Sequence, residues 1–246
     1  MTLGRTLATW LWLALGTAVL GTLVLLTAPL DRRGRLWWRF VRLWARGLSW
    51  AMGVTKLIVD GEERLTDAEG VLVMMNHTSG VDILAVIRSR KKPVAFLAKR
   101  ELFWFPVFGW AMRAAGMVSI DRRNLARAVA SLDRAGDKLA AGRTLLVFPE
   151  GTRSRDGRLL PFKKGGFVLA QKRGIPILPV VIAGARDIHS VGWLVRRTGP
   201  VAIVVDDPID PTTFDDRDAL MDHTRRRFIH CAERAARLVE GSVEVP

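Results

Sequence analysis

Tyrosine is absent from the 246 residues, and cysteine occurs once, at Cys231. A single thiol closes no internal bridge, so a disulfide framework is excluded, and the scarcity fits a reducing compartment. The four histidines and one cysteine form no cluster with zinc-ligand spacing, so no metal is expected. The sequence shows no internal repeat, no low-complexity tract and no G-x-S-x-G serine elbow, which argues against a lipase-like hydrolase acting through Ser79. Acidic residues are scarcest at the start: residues 1–56 hold one, Asp31, against eight cations. What is present excludes disorder, with 49% hydrophobic and 25% charged residues and a net charge of +14. The length suits one globular domain with an added segment.

That segment is the N-terminus. No charge interrupts positions 6–30, long enough for a membrane helix at about 20 apolar residues per crossing. The run is too long for an ordinary signal-peptide core, so an uncleaved anchor is expected. Arg35, Arg39, Arg42 and Arg46 then recur at spacings of four and three, which places them on one helix face. Trp37, Trp38, Trp44 and Trp50 occupy other positions of the same stretch. An Arg/Trp amphipathic helix suits the headgroup layer of a bilayer; a helix packed on the protein's own core is the competing reading. We therefore divide the chain into membrane-anchoring helices over residues 1–55 and an α/β domain over 56–246. If the apolar run spans, the arginine excess after it places that domain on the cytoplasmic face of the cell inner membrane; a run that dips into the bilayer without crossing is the alternative.

From residue 56 onward, β-rich runs at 56–59, 71–75, 94–97, 117–120, 144–148, 177–183 and 201–205 alternate with helical patterns at 81–88, 106–115, 125–141 and 166–173. A last amphipathic helix covers 217–239. The alternation predicts an α/β fold, a mixed, mostly parallel sheet flanked by helices, with ligands at the carboxyl ends of strands. Pro176 and Pro179 within one run predict an edge or irregular strand.

The residues after each strand carry the chemistry. Asn76-His-Thr-Ser-Gly-Val-Asp82 follows the second run. With His77 on the turn and Asp82 in the first turn of a helix, the carboxylate can accept Nδ1–H and leave Nε2 as a base. Ser79 and Asp82 also read as a helix-capping box, with His77 a bystander. Phe148-Pro-Glu-Gly-Thr-Arg-Ser154 follows the fifth run: Gly151 permits close backbone approach, and Arg153 offers a fork for phosphate or carboxylate. Lys99-Arg-Glu-Leu-Phe103 sets cations beside aromatics, as an amphiphile with an anionic head requires. Arg122, Arg123, Lys163 and Lys164 add cations at further loop ends.

These blocks, with Ile175-Pro-Ile-Leu-Pro-Val180, stand in an order and spacing that resembles the glycerophospholipid acyltransferases, specifically the bacterial 1-acylglycerol-3-phosphate O-acyltransferases of the PlsC type, over about residues 55–205. The resemblance implies transfer of a fatty acyl group from acyl-CoA or acyl carrier protein to the sn-2 hydroxyl of lysophosphatidic acid, giving phosphatidic acid. It implies His77 as base and Asp82 as its orienter, with Glu150, Gly151, Thr152, Arg153 and Lys99 binding the glycerol phosphate. Because a thioester is already activated, no covalent acyl-enzyme and no cofactor is required. We assign the oxyanion to Asn76 or to backbone N–H groups at the helix start. Glycerol-3-phosphate, another lysophospholipid or a lipidated amine are alternative acceptors. A membrane-tethered nucleic-acid-binding protein is the reading from another class, but the cations gather at the interface and the motifs, and no nucleic-acid signature is present. The expected partners are thus the bilayer, a lipid substrate and an acyl donor, and no nucleic acid.

Overall fold

The computed structural model describes residues 2–31, 33–121, 125–190, 192 and 194–242; Arg122 and Arg123 lie outside the described residues. Two helices come first, α1 (Thr2–Thr27) and α2 (Trp37–Met52). There follow β1 (Val54–Asp60), α3 (Glu62–Asp67), β2 (Leu72–Met75), α4 (Val81–Ser89), β3 (Val94–Lys99), a 3-10 turn (Arg100–Trp104) and α5 (Phe108–Ala114). The chain continues through β4 (Val118–Ile120), α6 (Leu125–Ala140), β5 (Thr144–Val147), α7 (Lys164–Arg173), β6 (Ile177–Ala183), α8 (Ala185–Ile188), β7 (Gly199–Val205), a second 3-10 turn (Pro211–Thr213) and α9 (Arg217–Glu240). Each β-rich run of the sequence therefore has its strand.

The strands form one sheet in the order β1-β7-β6-β2-β5-β3-β4. Every pairing is parallel except β6 with β7, so the sheet is mixed and mostly parallel. The period of two along each strand divides the core into two layers. Val73, Met75, Phe96, Leu146, Val180 and Ile182 face the layer shared with α1, α2 and α4. Leu72, Met74, Leu145, Val147, Ile177 and Val181 face the layer covered by α6, α7 and α9.

One expectation needs correction. The run carrying Pro179 is not an edge strand: β6 lies between β7 and β2. The Pro179 carbonyl accepts the Asp206 N–H at 3.0 Å, just past the end of β7. The ring nitrogen faces that same flank, where the β7 ladder has ended at Val205, so the missing donor breaks no ladder bond.

The helical pair is built into this body. α2 passes into β1 through Gly53, in the left-handed conformation (φ 93°), and the division placed after residue 55 falls inside β1. Two of the four tryptophans are core, not interface: Trp37 and Trp38 are buried, and the Trp38 indole donates to the Arg90 carbonyl at 3.1 Å. Their sector of α2 faces α4, whereas Trp50 is 70% exposed. α1 runs antiparallel to α2, with the Trp12 indole donating to the Trp44 carbonyl and the Trp44 indole to Thr17 Oγ1. Among the described residues, α1 is the helix long and apolar enough to cross a membrane. Leu3, Leu7, Leu11 and Leu15, four residues apart, are all exposed along it. Such a stripe suits a bilayer, not water.

Candidate active site

β2 is central, and its carboxyl end opens onto the site. The strand continues into Asn76, whose amide pairs with the neighbouring strand as a main-chain group would. Its side-chain oxygen accepts the Ile182 N–H at 2.8 Å, and its nitrogen donates to the Ile182 carbonyl at 3.1 Å. Both polar atoms are thereby engaged with β6, and the next residue, His77, is held at a fixed point above the sheet.

Asp82, in the first turn of α4, is 0% exposed. Its Oδ2 lies 2.9 Å from His77 Nδ1 and accepts the N–H groups of Thr78 at 2.7 Å and Ser79 at 2.8 Å. Ser79 Oγ in turn accepts the Val81 N–H at 3.0 Å. The capping box and the histidine–carboxylate pair, which the sequence offers as rivals, are one structure: a single oxygen closes the helix end and orients the ring. Because a carboxylate only accepts, the proton of this contact sits on Nδ1 in the neutral ring, and Nε2 carries the free lone pair. The Phe148 ring stacks on the imidazole, centroids 3.8 Å apart at 15°. The side chain of His77 keeps 13% exposure.

The loop after β5 fastens to both ends of the His77 peptide. Glu150, 2% exposed, accepts the His77 N–H through Oε1 at 2.8 Å and the Leu160 N–H through Oε2 at 2.8 Å. The Ser154 N–H donates to the His77 carbonyl at 2.7 Å. Burial pushes the Glu150 carboxyl above its ordinary value; the two backbone donors pull it down, Asp82 adds to the rise, and Arg225 opposes it. Glu150 therefore points inward, as a strut between the two motif loops. Gly151 takes the left-handed conformation (φ 71°), and a β-carbon there would stand 3.2 Å from Lys163 Cγ. Thr152 is exposed and Arg153 half-buried, and among the described residues Arg153 has no carboxylate partner. Lys99, at the carboxyl end of β3, is 3.8 Å from Glu101.

Two contributors escape the sequence reading. Arg225, on α9, donates to the carbonyls of Leu160 and Leu159 at 2.9 and 3.0 Å. It braces the loop whose N–H holds Glu150, which in turn holds His77, and no local motif marks it. His189, read from sequence as a bland loop residue, stands with Nδ1 about 3.9 Å from where a Gly80 β-carbon would lie. Its Nε2 is 3.2 Å from the Gly192 carbonyl, so Nε2 carries the proton, and among the described residues the buried Nδ1 has no partner. Burial lowers its pKa, the Gly192 bond opposes this, and the Arg153 and Arg196 charges add to the fall.

Gly80 and His189 also line an apolar cavity of about 390 Å³. Its walls come from α1 (Leu13, Thr17), α2 (Trp44, Leu48), α4 (Ile83, Ile87), β3 (Phe96, Ala98) and α5 (Phe108, Ala111). Phe96 and Ala98, two apart on the strand, present the same face. The arrangement can thus abstract a proton at Nε2, bind an anion at Arg153 and house an alkyl chain. Cys231 has no such use: it is buried on α9, and burial, then the Asp206 charge, push its thiol to about 12.

The sequence model of the family described as "Acyltransferase" matches residues 56–183. A chloroplastic 1-acyl-sn-glycerol-3-phosphate acyltransferase of Brassica napus is 34% identical over 80% of this chain and 57% of its own length. The human 1-acyl-sn-glycerol-3-phosphate acyltransferase alpha is 30% identical over 78% of this chain and 68% of its own. The chain spans between 45% and 58% of the length of three of the curated relatives it matches. Among solved structures, the 1-acyl-sn-glycerophosphate acyltransferase PlsC of Thermotoga maritima superposes with a TM-score of 0.81 at 30% identity, covering 95% of both chains.

Proposed function

Since this chain belongs to the acyltransferase family, we propose that it transfers a fatty acyl group from a thioester, acyl-CoA or acyl carrier protein, to the sn-2 hydroxyl of lysophosphatidic acid. The observation that carries this is the 2.9 Å contact between His77 Nδ1 and Asp82 Oδ2, which leaves Nε2 as the basic nitrogen. His77 Nε2 takes the hydroxyl proton as the substrate oxygen attacks the thioester carbonyl. The tetrahedral oxyanion meets the backbone N–H groups at the start of α4 that Asp82 and Ser79 do not already engage, where the helix end favours negative charge. When the C–S bond breaks, the imidazolium returns its proton to the departing thiolate, giving free thiol and phosphatidic acid. No acyl-enzyme forms. Arg153 and Lys99, with the Gly151–Thr152 turn, hold the phosphate. Asn76 and Glu150 act as supports: Asn76 has spent its amide on β6, and a buried carboxylate facing two N–H groups would repel a phosphate.

The alkyl tail of a substrate has a place in the apolar cavity. Trp12 and Thr17 of α1 are joined to Trp44 of α2, and on this reading the pair enters one leaflet together, with the domain at the cytoplasmic face of the inner membrane. The test is purified protein in neutral detergent with acyl-CoA or acyl carrier protein against lysophosphatidic acid, glycerol-3-phosphate and other lysophospholipids, with products read by mass spectrometry. Phosphatidic acid should form with the wild type and drop to background with His77→Ala. A His77→Ala variant at full rate refutes the mechanism, and preference for another acceptor replaces the substrate.

A further inference from the structure

Three arginines gather where α2 crosses the end of α4. Arg42 and Arg46 stand one turn apart on α2, and Arg88 lies in the last turn of α4. Arg42 Nη2 donates to the Arg88 carbonyl at 3.3 Å. A cation at a helix C-terminus is favoured by the macrodipole, worth about half a charge, which accounts for one of the three. Among the described residues, none of them has a carboxylate within ion-pair reach. Burial, and then the charge of Arg46, lower the pKa of both Arg42 and Arg88. Among the described residues, the buried Arg42 Nε–H has no acceptor. The contrast with Arg90, two residues on, is sharp: fully buried, it donates to the carbonyls of Leu65 at 2.5 Å and Ala68 at 2.9 Å. Arg90 is satisfied by the protein; Arg42 is satisfied only in part, and Arg46 beside it is exposed.

The surroundings indicate what would satisfy the trio. At about 100° per residue, Arg39, Arg42 and Arg46 fill one sector of α2, and the adjoining one holds Leu36, at the helix N-cap, with Leu43 and Trp50. Those three are 43%, 50% and 70% exposed. A cationic strip beside an exposed apolar strip matches a lipid, whose acid oxygens and acyl chains lie side by side. A free phosphate would leave the apolar strip uncovered. Arg88 is six residues along α4 from Asp82, roughly 9 Å at 1.5 Å per residue, so the trio is separate from the histidine–aspartate pair.

We propose that Arg42, Arg46 and Arg88 form a binding site for the headgroup phosphate of an anionic bilayer phospholipid that is not a substrate. The phosphate oxygens sit between the three guanidinium heads, giving the Arg42 Nε–H an acceptor to turn toward, and the acyl chains lie over Leu36, Leu43 and Trp50. This site does not depend on the acyl-transfer reading, and its test reads binding only.

The full chain, in neutral detergent, is titrated with short-chain phosphatidylglycerol, short-chain phosphatidylcholine and inorganic phosphate. Phosphatidylglycerol should bind saturably at one site, and the other two at least about ten-fold more weakly, as expected when a charge-assisted pair is lost. Arg42→Lys keeps the charge but removes the planar fork and should weaken binding about ten-fold; a diffuse surface potential predicts no change. Arg46→Gln, at an exposed position that tolerates substitution, should also lose about ten-fold, while Arg33→Gln, outside the trio, should leave the soluble lipid's affinity unaltered. Melting curves without lipid verify folding, and if Arg42→Lys melts early, Arg46→Gln decides. Unchanged affinity in Arg46→Gln, equal binding of phosphatidylcholine, or equal loss in Arg33→Gln overturns the site. Inorganic phosphate binding as tightly as phosphatidylglycerol overturns the lipid as its ligand.

Discussion

Asp82 permits two substitutions that separate its two tasks. In Asp82→Ala, the N–H groups of Thr78 and Ser79 and the Nδ1–H of His77, at 2.7, 2.8 and 2.9 Å, lose their common acceptor. A buried donor left unmet costs about 1–3 kcal/mol; with some water entering, the three together come to roughly 3–5 kcal/mol, a large part of the ~5–15 kcal/mol that stabilises a domain. In Asp82→Asn, one carboxamide oxygen can still accept all three bonds, so the loss stays below about 1.5 kcal/mol. The charge that supports the imidazolium is gone, however, and the rate should fall by ~10²–10⁴-fold, the scale of general-base catalysis. Free thiol released from the acyl donor measures the rate, and thermal melts measure stability. If Asp82→Asn keeps a rate within a few-fold of wild type, the carboxylate does not assist the base. If Asp82→Ala melts with Asp82→Asn, the oxygen is no structural knot, and the shared-acceptor reasoning fails.

Glu150→Gln sets an amide nitrogen against either the His77 or the Leu160 N–H, and should cost about 1–3 kcal/mol of stability and roughly ten-fold or more in rate; melts and kcat, compared with the Arg153→Gln variant that should raise KM instead, tell a strut from a phosphate ligand. Ala111→Phe fills part of the cavity and should shift use toward shorter acyl chains, seen by mass spectrometry with competing donors; an unchanged product profile removes the cavity from chain binding. His189 titrates below its ordinary 6.5 in the fold, so the folded state binds fewer protons: its contribution is complete above pH 6.5 and is lost as pH falls through the lowered value. His189→Gln should therefore flatten the decline in melting temperature below pH 6.5 relative to wild type, and parallel curves would contradict that placement.

The sheet was legible because its strands are short, β-rich and punctuated, and because the residues that follow β2 and β5 are polar where the strands are not. The pairing of His77 with Asp82 could be drawn from a turn-plus-helix argument, though not the fact that capping and orientation share one oxygen; that depends on where Thr78 and Ser79 turn their N–H groups. Glu150 looked like a ligand because local sequence does not say whether a carboxylate faces solvent or its own backbone. Arg225 was out of reach because its contact with Leu160 spans 65 residues. Trp37 and Trp38 misled for a different reason: an aromatic sector reads the same whether it faces lipid or another helix, and only the position of α4 decides. Pro179 was misassigned because its strand's neighbour stops short, a property of β7 and not of the proline.

The cavity beside Gly80 and His189 takes much of its wall from α1 and α2. On the proposed function the two helices are container as well as mooring, and anything that dissolves the mooring also has access to the container. A detergent tail is chemically an acyl chain without its carbonyl, so extraction offers the protein a dead-end occupant at very high local concentration. Activity measured in solubilised preparations will then track the alkyl length of the surfactant as much as that of the donor.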